Sequence, residues 1–416
     1  MRVRISALLI ALFFLSNTYT SVKDPLQLVG IAEEKIKISA DSCLAYLGNA
    51  FQIFDGNDDL VRRLRYASNI AGELDMAGYT DEALRLFGEN TLENLRRPPK
   101  DSAEWDLLAW LHTNLAYTYA YSVGDLDLAK ENYEIAVQLF ESKNLTIDEY
   151  VARYAYQELG NIYTQKGDFE AALIVLEKFK NISLEIGDYN AAAEAYSDMG
   201  IAYYHFEKDS LSANCYLKGL DLPNIHVIPK ALLEGNLVNF YTKKENYEEA
   251  LFWVKKANAS FEIIDQNGLH YESKVRLANN LKQWAEIESI KGNSEVAKVN
   301  LLRALNLMRE HYGADTLRRE TAKIHLGLGQ FYLDFEKPGM ALPYYQSALK
   351  CVLPGFDSDD VFTNPTVEIF YSENVILDGL EGKADAFFEL YQMKNDRRLL
   401  EKSLECQDLI FEAENI

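Results

Sequence analysis

The sequence predicts an all-α protein, a solenoid of stacked helical hairpins. One pattern of apolar and small residues recurs along the chain with a period of about 40 residues, which is typical of helical repeats. Each copy surrounds a short turn that is polar or contains glycine. The chain holds only 9 Pro among 416 residues, and 48% of its residues are hydrophobic, as expected for an ordered and well-packed protein.

The first twenty residues have the layout of a secretory signal peptide. Arg2 and Arg4 precede an apolar run from Ile5 to Leu15, and small polar residues follow as far as Thr20. Such a segment is long enough for export but too short to span a bilayer comfortably. We expect residues 1–20 to be a signal peptide and the protein to be periplasmic or secreted. An uncleaved N-terminal anchor is the alternative.

The charge balance excludes two classes of partner. The chain has 42 Lys and Arg against 64 Asp and Glu, which gives a formal net charge of −22. Binding to nucleic acid or to an anionic membrane surface depends on clustered Lys and Arg, and this sequence contains no such cluster. We therefore expect neither nucleic acid nor a peripheral membrane contact.

The recurring pattern is clearest in the middle of the chain. An apolar residue and a Gly or Ala are followed by a Tyr, a turn, an Ala and two further apolar residues. In the clearest copy these positions are Tyr156, Leu159, Gly160, Tyr163, Gly167, Phe169, Ala172, Leu176 and Phe179. About seven copies fill residues 61–353, and the residues that follow their turns are Ala83, Ala129, Ala172, Ser212, Ala250, Ala297 and Ala341.

The positions in this pattern have a physical reason. Small residues are needed where two antiparallel helices cross closely, and large residues fill the space beside them. A single hairpin cannot bury its own apolar face, so neighbouring hairpins must stack. The pattern resembles the tetratricopeptide repeat over residues 61–353. This resemblance implies a superhelical scaffold that binds a peptide or a partner domain on its concave face.

The two ends of the chain differ from the repeat. Residues 21–60 contain helical segments out of frame and are predicted to form a divergent N-terminal cap. Residues 354–378 are predicted to form a loop insertion, because they are polar and contain Pro365. Residues 379–416 are predicted to form a final helical hairpin.

The C-terminal junction has a resemblance of its own. Residues 375–384, followed by Tyr391 and by a helix with Leu399, Ser403 and Leu404, resemble the last repeat that precedes the caspase-like CHAT domain in bacterial proteins. This resemblance implies that the chain binds a caspase-like CHAT domain as a partner and regulates its peptidase activity. It brings no catalytic residue to this chain, because no His follows residue 350 and Cys406 lies within an amphipathic helix.

No other motif predicts catalysis. The four cysteines are scattered without metal-ligand spacing, so we expect buried, reduced thiols. His205 and Cys215 lie ten residues apart, but nothing in the sequence would orient the histidine as a base. The sequence predicts a non-enzymatic protein with no cofactor and no bound metal.

The repeat frame also predicts which side chains face the concave groove. Residues one turn away from the packing face of each first helix should point into it. Asn, Gln and Tyr there can donate and accept hydrogen bonds without a fixed charge, which suits an extended peptide backbone. The predicted partner-binding residues are Asn114, Tyr117, Gln157, Asn161, Tyr204, Asn236, Asn239 and Gln330. A hydrated groove without a ligand is the alternative.

These observations predict a protein-interaction scaffold that binds a protein or peptide, with a caspase-like CHAT domain as one expected partner. Two alternatives stay open at this point. The chain could be the periplasmic sensor array of a bacterial signalling system, or a fragment of a CHAT-domain peptidase.

Overall fold

The structure, a computed structural model, describes residues 24–313 and 317–414. Every regular element within these residues is a helix, which confirms the predicted all-α solenoid class. The predicted signal peptide lies outside the described residues. The chain divides into two compact units, which adjoin at Lys208 and Asp209. Each unit is described by itself.

Unit 1 is built from helical hairpins in which successive helices pack against each other. Its helices are α1 (Pro25–Lys35), α2 (Ala40–Gly56), α3 (Leu60–Met76), α4 (Thr80–Gly88), α5 (Ser102–Thr118), α6 (Leu126–Ser142), α7 (Glu149–Val151), α8 (Glu158–Gln165), α9 (Phe169–Ile186) and α10 (Tyr189–His205). The hairpin α1–α2 occupies most of the segment predicted as a divergent cap.

Two π-helical segments interrupt unit 1. Tyr119–Val123 extends α5, and Ala152–Gln157 joins α7 to α8. Gly124 ends the first segment with a φ of 81°, a conformation that glycine adopts without a steric penalty. A π turn holds more residues than an α turn, so it changes the direction of the side chains that follow, and such turns are frequent at functional sites.

Unit 2 continues the same hairpin construction. Its helices are α11 (Asp209–Leu220), α12 (Val227–Lys243), α13 (Tyr247–Gln266), α14 (Ser273–Ile290), α15 (Ser294–Tyr312), α16 (Arg319–Asp334), α17 (Pro338–Val352), α18 (Asn374–Lys394) and α19 (Arg397–Ala413). Within α12–α17, the pairs α12–α13, α14–α15 and α16–α17 are the hairpins.

The glycines of the repeat frame lie where two helices cross closely. A Cβ at Gly160 would stand 2.5 Å from Cδ2 of Leu176, and a Cβ at Gly329 would stand 2.7 Å from Cζ of Tyr345. In both hairpins the glycine contacts the residue sixteen positions later, on the second helix. The same register therefore packs both copies, as the sequence pattern predicts.

The loop between α17 and α18 ends earlier than the predicted boundary at residue 378. Helix α18 begins at Asn374, because the Glu373 side chain accepts a hydrogen bond from the Val375 backbone N–H at 3.1 Å and caps the helix. Val375 and Ile376 are buried, so their apolar side chains hold this first turn against the core.

A buried lysine holds the loop between α17 and α18 against these two helices. The Lys383 ammonium donates to Gln346 Oε1 at 2.6 Å, to the Thr363 carbonyl at 2.8 Å and to Asn364 Oδ1 at 2.7 Å. Burial lowers the pKa of Lys383 to about 8. The group therefore stays charged at neutral pH, and its three protons match the three oxygen acceptors.

No disulfide joins the four cysteines, all of which the structure describes. Cys43, Cys215 and Cys406 are buried and Cys351 is half-buried. Across the described part of the chain, no helix combines the length and the hydropathy that crossing a bilayer would need.

Candidate functional site

One cavity of unit 1 is lined mainly by aromatic side chains. Its volume is about 460 Å³. We call it the tyrosine pocket. It is lined by Trp110, Thr113, Asn114, Tyr117, Tyr133, Asp148, Tyr150 and Tyr154.

Helix α5 and the segment after it supply one wall of the tyrosine pocket. Trp110, Asn114, Tyr117 and Tyr121 follow one another at intervals of four, three and four residues, which places them on one face of a helix. The rings of Tyr117 and Tyr121 lie in contact, with centroids 4.5 Å apart. The π segment begins at Tyr119, so it sets where the Tyr121 ring lies relative to the pocket.

Tyr150 and Tyr154 supply another wall. They lie on α7 and on the π segment that follows it, four residues apart, as on one face of a helical segment. Asp148 caps α7 by accepting hydrogen bonds from the Tyr150 and Val151 backbone N–H groups at 3.0 Å. The cap therefore places a carboxylate at the edge of an aromatic wall.

Polar side chains connect successive repeats beside the tyrosine pocket. Asn114 Nδ2 donates to Ser68 Oγ at 2.8 Å, and the Tyr121 hydroxyl donates to Glu158 Oε2 at 2.6 Å. Gln157 Nε2 donates to Asp198 Oδ2 at 2.8 Å. The amides of Asn114 and Gln157, predicted to grip a peptide, thus already bond to neighbouring repeats.

The carboxylates of this surface are partly desolvated. Burial raises the pKa of Glu158, although its hydrogen bond from Tyr121 acts in the opposite direction. Burial also raises the pKa of Asp198, to about 7, and the nearby charges of Glu194 and Glu158 add to this effect. Asp106 follows the same rule, since burial and then the charge of Asp148 raise its pKa.

Unit 2 holds three of the predicted residues, Asn236, Asn239 and Gln330, and it does not gather them into one site. Asn239 accepts a hydrogen bond from Gln283 Nε2 at 2.5 Å, while Asn236 is half-buried on the same helix. Gln330 lies in a second cavity of about 530 Å³ and donates to Asp334 at 2.8 Å.

The second cavity differs from the tyrosine pocket in its chemistry. Most of its lining is charged, and Lys282 forms an ion pair with Glu286 inside it. Its lining residues are Lys282, Glu286, Lys323, Leu326, Gly327, Gln330, Tyr345, Asp378, Glu381, Gly382 and Asp385.

The structure thus brings together part of the predicted set. Asn114 and Tyr117 line the tyrosine pocket. Gln157 lies nearby, because the next residue, Glu158, accepts a hydrogen bond from Tyr121, whose ring contacts Tyr117. Asn161 and Tyr204 are half-buried on α8 and α10 of the same unit.

Sequence reasoning missed the residues that give the tyrosine pocket its character. They are Trp110, Asp148, Tyr150 and Tyr154. The spacing of Trp110 and Tyr117 on one helix face could have indicated the first wall. No repeat position indicated the second wall, because α7 and its π segment depart from the repeat frame.

Among the described residues, no group of three or more His, Cys, Asp and Glu side chains is placed to hold a metal ion. The buried His112 illustrates a structural role instead. Its Nδ1 lies 2.9 Å from Asn132 Oδ1, and burial lowers its pKa.

Comparison with known families identifies one repeat directly. Residues 154–185 match the tetratricopeptide repeat model. The matched segment includes Tyr154 of the tyrosine pocket, α8 and most of α9. No curated protein matches the chain.

Several solved structures are similar to this chain at low identity. A tetratricopeptide repeat protein from Parabacteroides merdae has 14% identity and a TM-score of 0.49, covering 77% of this chain and 99% of its own. The apo form of the quorum sensor NprR from B. thuringiensis has 15% identity and a TM-score of 0.45, covering 84% and 99%. A Rap protein in complex with competence and sporulation factor has 13% identity and a TM-score of 0.47, covering 94% and 97%.

Proposed function

We propose that this chain is a non-enzymatic interaction scaffold that binds a protein or peptide at the tyrosine pocket of unit 1. Stacked hairpins hold the binding surface in place, and the exposed rings supply the contact area. Asn114 and Gln157 act mainly as links between repeats in this proposal, because their amide donors already have partners.

One observation carries the proposal. Tyr117, Tyr121, Tyr150 and Tyr154 are exposed by 50%, 58%, 56% and 46%, and three of these four line one cavity. Tyrosine is enriched in protein interfaces because it offers a large apolar ring with a polar tip and few rotatable bonds. Rings gathered at a cavity are more informative than singly scattered apolar residues, which need no functional explanation.

A peptide selection tests this proposal. A random-peptide phage library is selected on the immobilised chain, and the recovered clones are measured against a Tyr117→Ala, Tyr154→Ala double variant. Both rings are half-exposed, so their removal should leave the helical circular dichroism signal unchanged. We expect clones that bind the chain and lose at least tenfold in affinity, about 1.4 kcal/mol, on the double variant.

Tyr271→Ala is the matched control, because Tyr271 is an even more exposed tyrosine, at 79%, in unit 2. Clones that bind the chain and the double variant equally would show that the tyrosine pocket is not the binding surface. Recovery of no clone above background would contradict the scaffold proposal itself.

The caspase-like partner and the export of the chain remain proposals that rest on sequence alone. The caspase-like partner depends on the resemblance of residues 375–384 to a CHAT junction.

The export of the chain depends on residues 1–20. Mass spectrometry of the N-terminus, after expression of the chain with its signal segment, tests this proposal. We expect a mature chain that begins after Thr18 or Thr20, and an intact Met1 in the recovered protein would contradict cleavage.

A further inference from the structure

We propose that the tyrosine pocket receives a positively charged arginine or lysine side chain of the bound partner. This inference rests on the proposed function, and it names the chemistry of the partner at the same surface.

The lining of the pocket favours a cation. Five of its eight residues are Trp or Tyr, and the faces of aromatic rings carry negative electrostatic potential. Among the described residues that line it, Asp148 carries the only formal charge at neutral pH, and that charge is negative. An ammonium or guanidinium group would meet ring faces and a carboxylate together, whereas an anionic side chain would be repelled.

A buried hydroxyl in the pocket wall lacks a partner. Tyr133 is 0% exposed, and its hydroxyl has no hydrogen-bond partner within the described residues. A buried polar group without a partner destabilises the fold, so a ligand that donates a hydrogen bond to it would recover part of this energy. Guanidinium and ammonium groups are donors without acceptor atoms, which matches a free oxygen lone pair.

The surroundings of the pocket are also negative. Asp106 lies close enough to Asp148 for its charge to help raise the Asp106 pKa, and Glu158 lies beside the ring pair through its bond to Tyr121. Arg153, which precedes Tyr154 in the chain, is already paired with Glu194 and lies 3.9 Å from Asp188. The negative potential at the pocket therefore favours binding of a cation that a partner supplies.

The volume of the tyrosine pocket suits a single inserted side chain better than the surface of a folded domain. A cavity of about 460 Å³ lies near the lower end of the range for small-molecule sites, 300–1,000 Å³. One long cationic side chain can enter such a space, while the exposed Tyr150 and Tyr154 rings beside it can contact the rest of the partner.

Fluorescence anisotropy with two peptides tests the inference on the full chain. The probe is a labelled, acetylated and amidated peptide of alternating serine and arginine. Its control replaces each arginine by citrulline, which keeps the shape and removes the charge. We expect the arginine peptide to bind at least about tenfold more tightly than the citrulline peptide.

Because the chain carries a net charge of −22, general attraction must be separated from the pocket. Asp148→Asn and Glu248→Gln each remove one negative charge, and Glu248 is an exposed residue of unit 2. We expect Asp148→Asn to weaken the arginine peptide about fivefold and Glu248→Gln to weaken it less than twofold. Tyr154→Ala should weaken it severalfold, while Tyr271→Ala should leave it unchanged. Equal effects of the two charge variants would overturn the inference.

The outcomes also distinguish this inference from the proposed function. If library peptides depend on Tyr117 and Tyr154 but bind equally well after their arginines and lysines are replaced by citrulline, the scaffold proposal stands and the cation inference is wrong. Tetramethylammonium chloride is the third probe. If it binds at the pocket and the arginine peptide does not, the occupant is a free organic cation, and the side-chain inference is overturned.

Discussion

The crossing of α17 with α16 and α18 allows a test of whether the repeat frame requires glycine where helices pack closely. The Tyr345 ring is buried, and the helix backbones at Gly329 and Gly382 both lie against it. A Cβ at Gly382 would stand 2.1 Å from Cε1 and 2.2 Å from Cζ of that ring. We predict that Gly382→Ala destabilises the folded chain.

The magnitude follows from two opposing effects. Alanine in place of glycine within a helix gains about 1 kcal/mol. Ordinary contact begins near 3.4 Å, so the ring or the helix would have to shift by about 1.3 Å from the 2.1 Å position. The ring cannot simply move aside, because Gly329 lies against the same two ring atoms at 2.7 and 2.8 Å from its own Cβ position. Overpacking of this kind costs about 3 kcal/mol, so we expect a net loss of about 2 kcal/mol.

Urea unfolding followed by far-UV circular dichroism measures the change in unfolding free energy. Gly235→Ala is the matched control in the same unit, since Gly235 lies inside α12 and a Cβ there meets nothing within 4 Å. We expect this control to gain about 0.5–1 kcal/mol. A Gly382→Ala chain as stable as the unchanged chain, or more stable, would refute the argument that this crossing requires glycine.

Three further results are expected. Burial raises the pKa of Asp198 from 3.8 to about 7, so the folded chain keeps a proton there that the unfolded chain loses near pH 4. The unfolding free energy should therefore fall as the pH rises from about 4 to about 7, and Asp198→Asn should remove this fall in urea titrations. At about 1.4 kcal/mol per pKa unit, and with screening by water at the partly exposed carboxylate, the variant should gain about 2 kcal/mol near pH 8 and nothing near pH 3. Lys383→Met leaves three oxygen acceptors without a donor and should cost about 3 kcal/mol, with faster hydrogen exchange in the loop before α18 than in α16. Unchanged exchange there would show that Lys383 does not hold the loop. Burial raises the thiol pKa of Cys43, Cys351 and Cys406 to about 11, so Ellman's reagent should react with them slowly near pH 8 in the folded chain and rapidly in urea.

The repeat frame could be read from the sequence because it depends on local spacing. Gly160 and Gly329 stand at the same position of their copies, and each contacts the residue sixteen positions later. The turns are equally local. Gly167 and Glu245 follow a lysine at the turn of their copies, and both adopt positive φ, at 78° and 55°. A pattern of this kind needs only helical periodicity and turn chemistry to be interpreted.

The candidate site could be predicted only in part. Asn114 and Tyr117 were expected at a binding surface, and they do line the tyrosine pocket. Asn114 and Gln157 donate their amide hydrogen bonds to Ser68 and Asp198. The sequence could not predict these partners, because they lie 46 and 41 residues away. The partners of a polar side chain depend on how neighbouring repeats stack.

The sequence by itself determined the helical hairpins, their order and the small residues at their crossings, since each of these follows from residues within one or two helices. Only the tertiary structure decided what the surface of unit 1 offers to a partner. The π segments at Tyr119–Val123 and Ala152–Gln157 redirect the side chains around them, and stacking then brings Trp110, Tyr133 and Tyr154 from three separate segments around one cavity. A cavity is the space left between elements, and its shape depends on distances that no local pattern contains.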